Sequence, residues 1–305
     1  MIKKVEYLGL ANCLRISNGT VEVVVTTAVG PRVIRYGFKG GENILGECPT
    51  AAVTTELGVW KPWGGHRLWT APEAIPRSYV PDDCPVECKK KGLLSVHLIQ
   101  PVEAQTGIRK EMTVTLAETG TAVTILHRIT NVGLWGIEVA PWALTIMAGG
   151  GRVVIPQEPY RPHDEYLLPA RPMVLWHYTD LSDPRFRIGK RFLQLRTDEA
   201  LAEPQKIGVA NKQGWAGYER QGTLFIKRFA YEDGVTYPDG GCNCESYTAA
   251  SFIELETVGP MHELAPGEAA EHVERWSLFK GVELGETEDG LAAALGPLVA
   301  ETAEV

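Results

Sequence analysis

Apolar and polar residues alternate with a period of two over much of the chain, the pattern of strands whose side chains point to opposite faces of a sheet. Thr20–Thr27 (Thr-Val-Glu-Val-Val-Val-Thr-Thr) is rich in β-branched residues that fit a pleated surface. Met112–Leu116 and Ala122–Thr130 flank Ala-Glu-Thr-Gly, which reads as a hairpin turn. Thr223–Tyr231, Ser251–Glu256 and Glu274–Lys280 predict further strands. Helical periodicity is confined to Glu286–Ala303, where an Ala/Leu-rich tail predicts one or two short helices broken at Gly296-Pro297. Many short strands joined by Gly- and Pro-rich turns predict an all-β sandwich.

The division that follows is a single domain over residues 1–285 with a helical tail over 286–305. Two proline-dense stretches, Pro72–Pro85 and Pro156–Pro172, carry scattered aromatics and read as long decorated loops. Loops of that length within a compact domain are usually functional.

Composition narrows the function more than the fold. A formal net charge of -8, with no basic run interleaved with aromatics, argues against nucleic acid as a partner. No stretch approaches the roughly 20 apolar residues of a membrane span, and Met1–Tyr7 lacks the apolar core of a signal peptide. A cytoplasmic location is the expectation. Six cysteines are too sparse in 305 residues for a disulfide framework, which agrees with it.

The densest chemistry lies in Trp60-Lys-Pro-Trp-Gly-Gly-His-Arg-Leu-Trp-Thr-Ala-Pro-Glu73. Trp63 and Trp69 offer flat apolar surface to a sugar ring, Arg67 offers a fork of donors to its hydroxyls or to a carboxylate, and Glu73 offers hydrogen bonds to its hydroxyls. His66 has the titration range of a general acid, or is a structural histidine. Arg67 is a ligand contact or one half of a structural ion pair. Gly64-Gly65 permits positive φ or close backbone approach. A second constellation, Tyr237-Pro-Asp-Gly-Gly-Cys-Asn-Cys-Glu245, sets Glu245 after a turn, at the mouth of a strand. Partial burial there would raise its pKa towards the range of a general base. Glu254 and Glu256 share one strand face, expected to be a solvated outer face.

Weaker signals include Arg32, which follows a turn and points into a cleft or caps the sandwich, and Lys212, a possible ligand contact among turn and aromatic residues. His127 alternates with apolar residues and reads as packed in the core. His163 and His177 lie in or near the second proline-rich loop as candidate lid residues. Cys84, Cys88, Cys242 and Cys244 could form a zinc site only with an unusual one-residue spacing in the second pair, so buried thiols are the expectation and no metal or cofactor is assigned. Signatures of serine hydrolases, phosphate-binding loops, zincins and dinucleotide enzymes are absent from the sequence.

Taken in order, several segments resemble the galactose mutarotase-like superfamily, which includes the aldose 1-epimerases. They are Ser17–Val25 with Gly30-Pro-Arg-Val-Ile34 and Gly40–Leu45, Gly64-Gly-His-Arg67, His127-Arg-Ile-Thr-Asn131 with Ala140–Leu144, and Met261–Glu268 before Arg275–Leu278. The Trp-Gly-Gly-His-Arg-Leu-Trp segment is similar to an uncharacterised branch of that superfamily. The resemblance implies a large antiparallel supersandwich with a sugar-binding cleft across one sheet. It implies a monosaccharide or sugar derivative as ligand, and anomer interconversion by a glutamate base and a histidine acid. Glu245 matches the family glutamate; His66 and Arg67 fall where family members contact substrate. Family epimerases carry a histidine just after the Ile-Thr-Asn strand, whereas this chain has Trp142-Ala-Leu-Thr-Ile-Met147. His66 must then supply the acid, or the protein binds sugar without turning it over.

Overall fold

The structure is a computed structural model, and residues 1–304 are described. Strands dominate it and assemble into two large antiparallel sheets that face one another. The first sheet runs, edge to edge, through Ile2–Tyr7, Leu10–Ser17, Val21–Val25, Arg32–Phe38, His66–Ala71, Ile137–Met147, Phe252–Val258, Cys244–Ala249, Gln205–Val209 and Met173–Leu175. The short strand His262–Leu264 pairs with one end of Ile137–Met147. The second sheet runs Glu87–Lys90, Ser95–Ile99, Ile108–Leu116, Val123–Asn131, Ala269–Lys280, Thr223–Phe229, Trp215–Arg220, Arg152–Pro156, Phe192–Arg196 and Phe186–Ile188.

Strand alternation decides which residues fill the space between the sheets. In Val123–Asn131 the odd positions Val123, Ile125, His127 and Ile129 are fully buried, while Thr124, Leu126 and Arg128 are partly exposed. Such inward rows from both sheets form one large core that includes Val23, Tyr36, Leu68, Met112, Phe225 and Trp276. The expected hairpin between Ile108–Leu116 and Val123–Asn131 is present, closed by the Ala117 N–H donating to the Ala122 carbonyl.

The C-terminal helix Glu288–Glu301 is continuous through Pro297, where a break was expected. Thr287 caps its start by accepting from the Gly290 N–H at 3.1 Å, and Glu288 and Asp289 occupy the first turn. Leu291 and Leu295 pack with Val154, Trp215, Leu224 and Ile226 on the outer face of the second sheet. Proline removes one helical hydrogen bond, and this buried stripe holds the turn regardless. Among the described residues the outer face of the first sheet carries no such helix.

Candidate functional site

The strand His66–Ala71 determines what can meet what. Its neighbours place Arg67 beside Leu144, Trp69 beside Trp142 and Ala71 beside Ala140, whereas His66 lies beside Thr145 and Leu68 beside Ala143. Leu68 belongs to the core between the sheets. Arg67 and Trp69 therefore project from the outer face and His66 projects inward. Gly64 and Gly65 hold φ of +102° and +67°, and a Cβ on either would lie about 2 Å from a carbonyl oxygen of a neighbouring segment (2.2 Å from Gly46 O, 2.1 Å from Val33 O). The glycine pair serves close packing of the chain against itself.

On the outer face a cleft of about 470 Å³ is lined by side chains from several strands, among them Arg67, Trp69, Trp142, Lys206, Tyr247, Glu254 and Glu256, with Trp60, Glu73, Tyr79 and Tyr178 from connecting segments. Arg67 Nη1 lies 3.0 Å from Glu254 Oε1. Lys206 Nζ lies 2.7 Å from Glu245 Oε2 and 3.0 Å from Glu256 Oε2, and Trp142 Nε1 donates to Glu256 Oε2 at 2.9 Å. Burial would lower the Lys206 ammonium, but the two carboxylates outweigh it and hold it well above the ordinary lysine value. Burial raises the Glu245 carboxyl to about 7 against the pull of Lys206, with Glu256 and Asp239 adding to the rise. The Glu254 carboxyl is likewise raised by burial, opposed by Arg67.

The tryptophans are less available than their composition suggests. Trp60, Trp69 and Trp142 pack edge to face as a buried cluster. The Arg67 guanidinium sits 4.5 Å from the Trp69 ring centre and 5.1 Å from that of Trp60, and Lys206 sits 4.8 Å from that of Trp142. Those rings anchor the cations. Aromatic surface open to a ligand comes from Tyr79, Tyr178, Tyr247 and Phe252, which are partly or largely exposed along the cleft. Arg67 Nε, Trp60 Nε1 and Glu256 Oε1 are buried without a hydrogen-bond partner. Three unpaired polar atoms in one wall are costly unless a ligand or a small adjustment of the wall serves them.

A second polar cluster lies between the sheets. His66 and His127 share a hydrogen bond between their Nε2 atoms at 2.6 Å, and His66 Nδ1 lies 2.8 Å from Thr145 Oγ1. Lys227 Nζ donates to Thr145 Oγ1 at 2.6 Å and lies 2.9 Å from Glu274 Oε1, while His127 Nδ1 lies 2.9 Å from the His272 carbonyl. Donors run consistently in one direction, from Lys227 through the Thr145 hydroxyl and His66 to His127 and the carbonyl, with both imidazoles neutral. Burial lowers His66 and His127 and takes His272 to about 3, while the Lys227 ammonium, opposing burial, holds Glu274 far below the usual carboxylate range. The donor atoms of His66, His127 and Glu274 fall within 4.8 Å of one another, a set whose chemistry would suit zinc. The fit is poor: both ring nitrogens of His66 and His127 and both Glu274 oxygens already have partners, and Lys227 supplies the counter-charge. We read this cluster as a hydrogen-bonded core network.

Several expectations change accordingly. His66 is fully buried against His127 and does not meet Glu245, which lies on the opposite face of the first sheet. Glu245 does begin a strand, Cys244–Ala249, but it is fully buried behind Lys206, with Cys242 Sγ donating to it at 3.1 Å. Trp63 has a left-handed φ of 58° and packs near Leu10, Cys13 and Ile34, away from the cleft. Arg32 neither lines the cleft nor faces solvent; it is buried in an ion pair with Asp82 at 2.7 Å. Lys212 pairs with Asp233 at the surface. Glu73 does reach the cleft rim, where Tyr79 donates to it at 2.5 Å. Glu254 and Glu256, expected on a solvated face, are buried in the cleft wall because cations oppose them. His163 and His177 are exposed, and His127 is in the core as expected. All six cysteines are free, and among the described residues they join no metal-ligand cluster. Lys206 was missed altogether; a lone lysine within the apolar strand Gln205–Val209 was the available signal.

No family model and no curated protein matches the chain. Solved structures match its fold. A galactose mutarotase-like protein from Lactobacillus casei superposes with a TM-score of 0.57 at 11% identity, over 88% of this chain and 100% of that one. Another galactose mutarotase-like protein, from Clostridium acetobutylicum, gives 0.52 at 12% identity, over 92% and 98%. A TPR-domain containing protein from Parabacteroides distasonis gives 0.58 at 12% identity; 90% of this chain covers 49% of it, so the chain spans about half that protein's length. The fold is galactose mutarotase-like. Among the described residues no helix is long and apolar enough to cross a membrane.

Proposed function

We propose that this protein binds a non-acidic sugar in the cleft on the outer face of the first sheet. The observation that carries the reading is the wall itself: Arg67, Trp60 and Glu256, each with a buried polar atom that lacks a partner, line the same cleft as the partly exposed rings of Tyr79, Tyr178, Tyr247 and Phe252. A pyranose presents apolar C–H faces to such rings and hydroxyls that both donate and accept. Acidic sugars fit poorly, because Arg67 and Lys206 are already matched by Glu254, Glu245 and Glu256. The sugar-related fold of the neighbouring structures agrees with this reading. Intrinsic tryptophan fluorescence and calorimetry against glucose, galactose, glucosamine and glucuronate test it. Saturable binding of at least one non-acidic sugar is expected, and it should weaken by about tenfold or more in Arg67→Ala; no binding across that panel would end the reading.

A second reading, interconversion of anomers, is favoured by the raised carboxyls of Glu245 and Glu254 close to Glu256. A carboxyl raised by burial can hold a proton near neutral pH and give it up as a general acid. Since His66 faces the core, Glu254 would protonate the ring oxygen while Glu256 takes the anomeric hydroxyl proton, with Glu245 positioning Lys206. Exchange spectroscopy on the sugars that bind tests this, and unchanged anomer exchange would leave a binding protein.

A further inference from the structure

Building on the sugar-binding reading, we infer that the ligand carries a positive charge, as an amino sugar with a free ammonium group does. The first argument is the charge count. Arg67 is paired with Glu254 at 3.0 Å, and Lys206 is held by two carboxylates, Glu245 at 2.7 Å and Glu256 at 3.0 Å. Burial raises Glu245 to about 7, which brings the Lys206 trio close to balance near neutral pH, so the surplus carboxylate of the cleft is Glu73 at the rim, its only side-chain hydrogen bond coming from the neutral Tyr79 hydroxyl. The cleft is therefore short of positive charge.

A second, independent observation marks where that charge would be met. Glu256 is fully buried in the cleft wall; its Oε2 accepts from Lys206 and Trp142, but its Oε1 has no partner. A carboxyl oxygen left without a donor in a protein wall is costly, and an ammonium supplies a charge-assisted donor to it. The aromatic rings divide in the same sense. Trp60, Trp69 and Trp142 are covered by cations of the protein itself, whereas Tyr79, Tyr178 and Tyr247 have no cation of the protein over their faces among the described residues. Open aromatic faces beside a surplus carboxylate suit an ammonium ion.

The experiment compares glucosamine, glucose and N-acetylglucosamine by calorimetry on the full chain, at low and at high salt, at a pH below the glucosamine amine pKa. N-acetylation keeps the nitrogen and removes its charge. We expect glucosamine to bind about fivefold or more tightly than glucose at low salt, from a cation–π contact and a partly exposed ion pair together. The advantage should shrink as salt rises. It should also fall in Glu73→Gln and Glu256→Gln, read as the ratio of the two dissociation constants. Equal affinity for glucosamine and glucose, or a preference that salt and both substitutions leave intact, would overturn the inference while leaving sugar binding in place. Failure of all three sugars to bind would instead defeat the sugar reading on which it rests.

Discussion

His66 and Arg67 are neighbours in sequence on opposite faces of one strand, so replacing each should damage a different property. His66→Ala removes a fully buried ring that bonds His127 at 2.6 Å and Thr145 at 2.8 Å. Two hydrogen bonds contribute about 1 kcal/mol each, and leaving His127 Nε2 without its partner adds roughly 1–3 kcal/mol. We take about 4 kcal/mol as the central expectation. With an unfolding entropy near 2.1 cal/mol/K per residue, that loss lowers the Tm of a chain this size by about 6 °C. Arg67→Ala acts on the cleft instead, deleting a charged donor and cutting sugar affinity by about tenfold or more. Thermal unfolding and sugar titration, run on both variants at a temperature where each is folded, separate the two outcomes. The reasoning fails if His66→Ala unfolds at the wild-type temperature yet loses sugar binding, for that would put its imidazole in the ligand's path.

Three further outcomes follow from the same geometry. Stability should rise with pH between about 4.5 and 6.5. The folded values of His66, His127 and His272 lie below the unfolded histidine value, so the unfolded chain takes up protons first as pH falls and stability drains away. The raised Glu245, Glu254 and Asp239 act in the opposite sense, favouring the fold at low pH, but the imidazole effect is the larger, His272 falling from 6.5 to about 3 against the rise of Glu245 from 4.5 to about 7; urea unfolding that gives greater stability at pH 5 than at pH 7 would contradict this. Lys206→Met strands Glu245 and Glu256 without a cation and should cost about 3–5 kcal/mol, and Lys206→Met/Glu256→Gln should recover part of it, as read by urea midpoints. Lys212→Ala should leave sugar affinity unchanged, since its ammonium pairs with Asp233 at the surface; weaker binding in calorimetry would place that surface in the site.

The fold was legible because strand alternation is a local signal. Val123–Asn131 shows its buried face in the sequence itself, and the Ala-Glu-Thr-Gly turn fixes its partner. Which acids stay ionised inside is not a local signal. Glu254 and Glu256 alternate like residues of a solvated face, and only Arg67, 187 positions from Glu254, and Lys206, 50 positions from Glu256, explain their burial. Trp69 reads as a stacking platform until Arg67 is found over its ring.

The same alternation explains why the sequence supported two roles for one loop. Beyond Gly64-Gly65 the chain enters a strand, and every step there changes the medium that a side chain meets. His66 faces the core between the sheets, where a histidine is held neutral by burial and is useful as a hydrogen-bond relay between sheets. Arg67 faces the cleft, where a guanidinium is useful as a charged donor backed by Trp69 and Glu254. A one-residue shift of register would exchange these roles, placing a guanidinium beside Lys227 in the core and an imidazole between Glu254 and the tyrosines. The two chemistries that the motif advertised are both present, separated by the thickness of the sheet. An acid–base reading of the cleft therefore has to be built from carboxyls and Lys206, and it stands or falls with them.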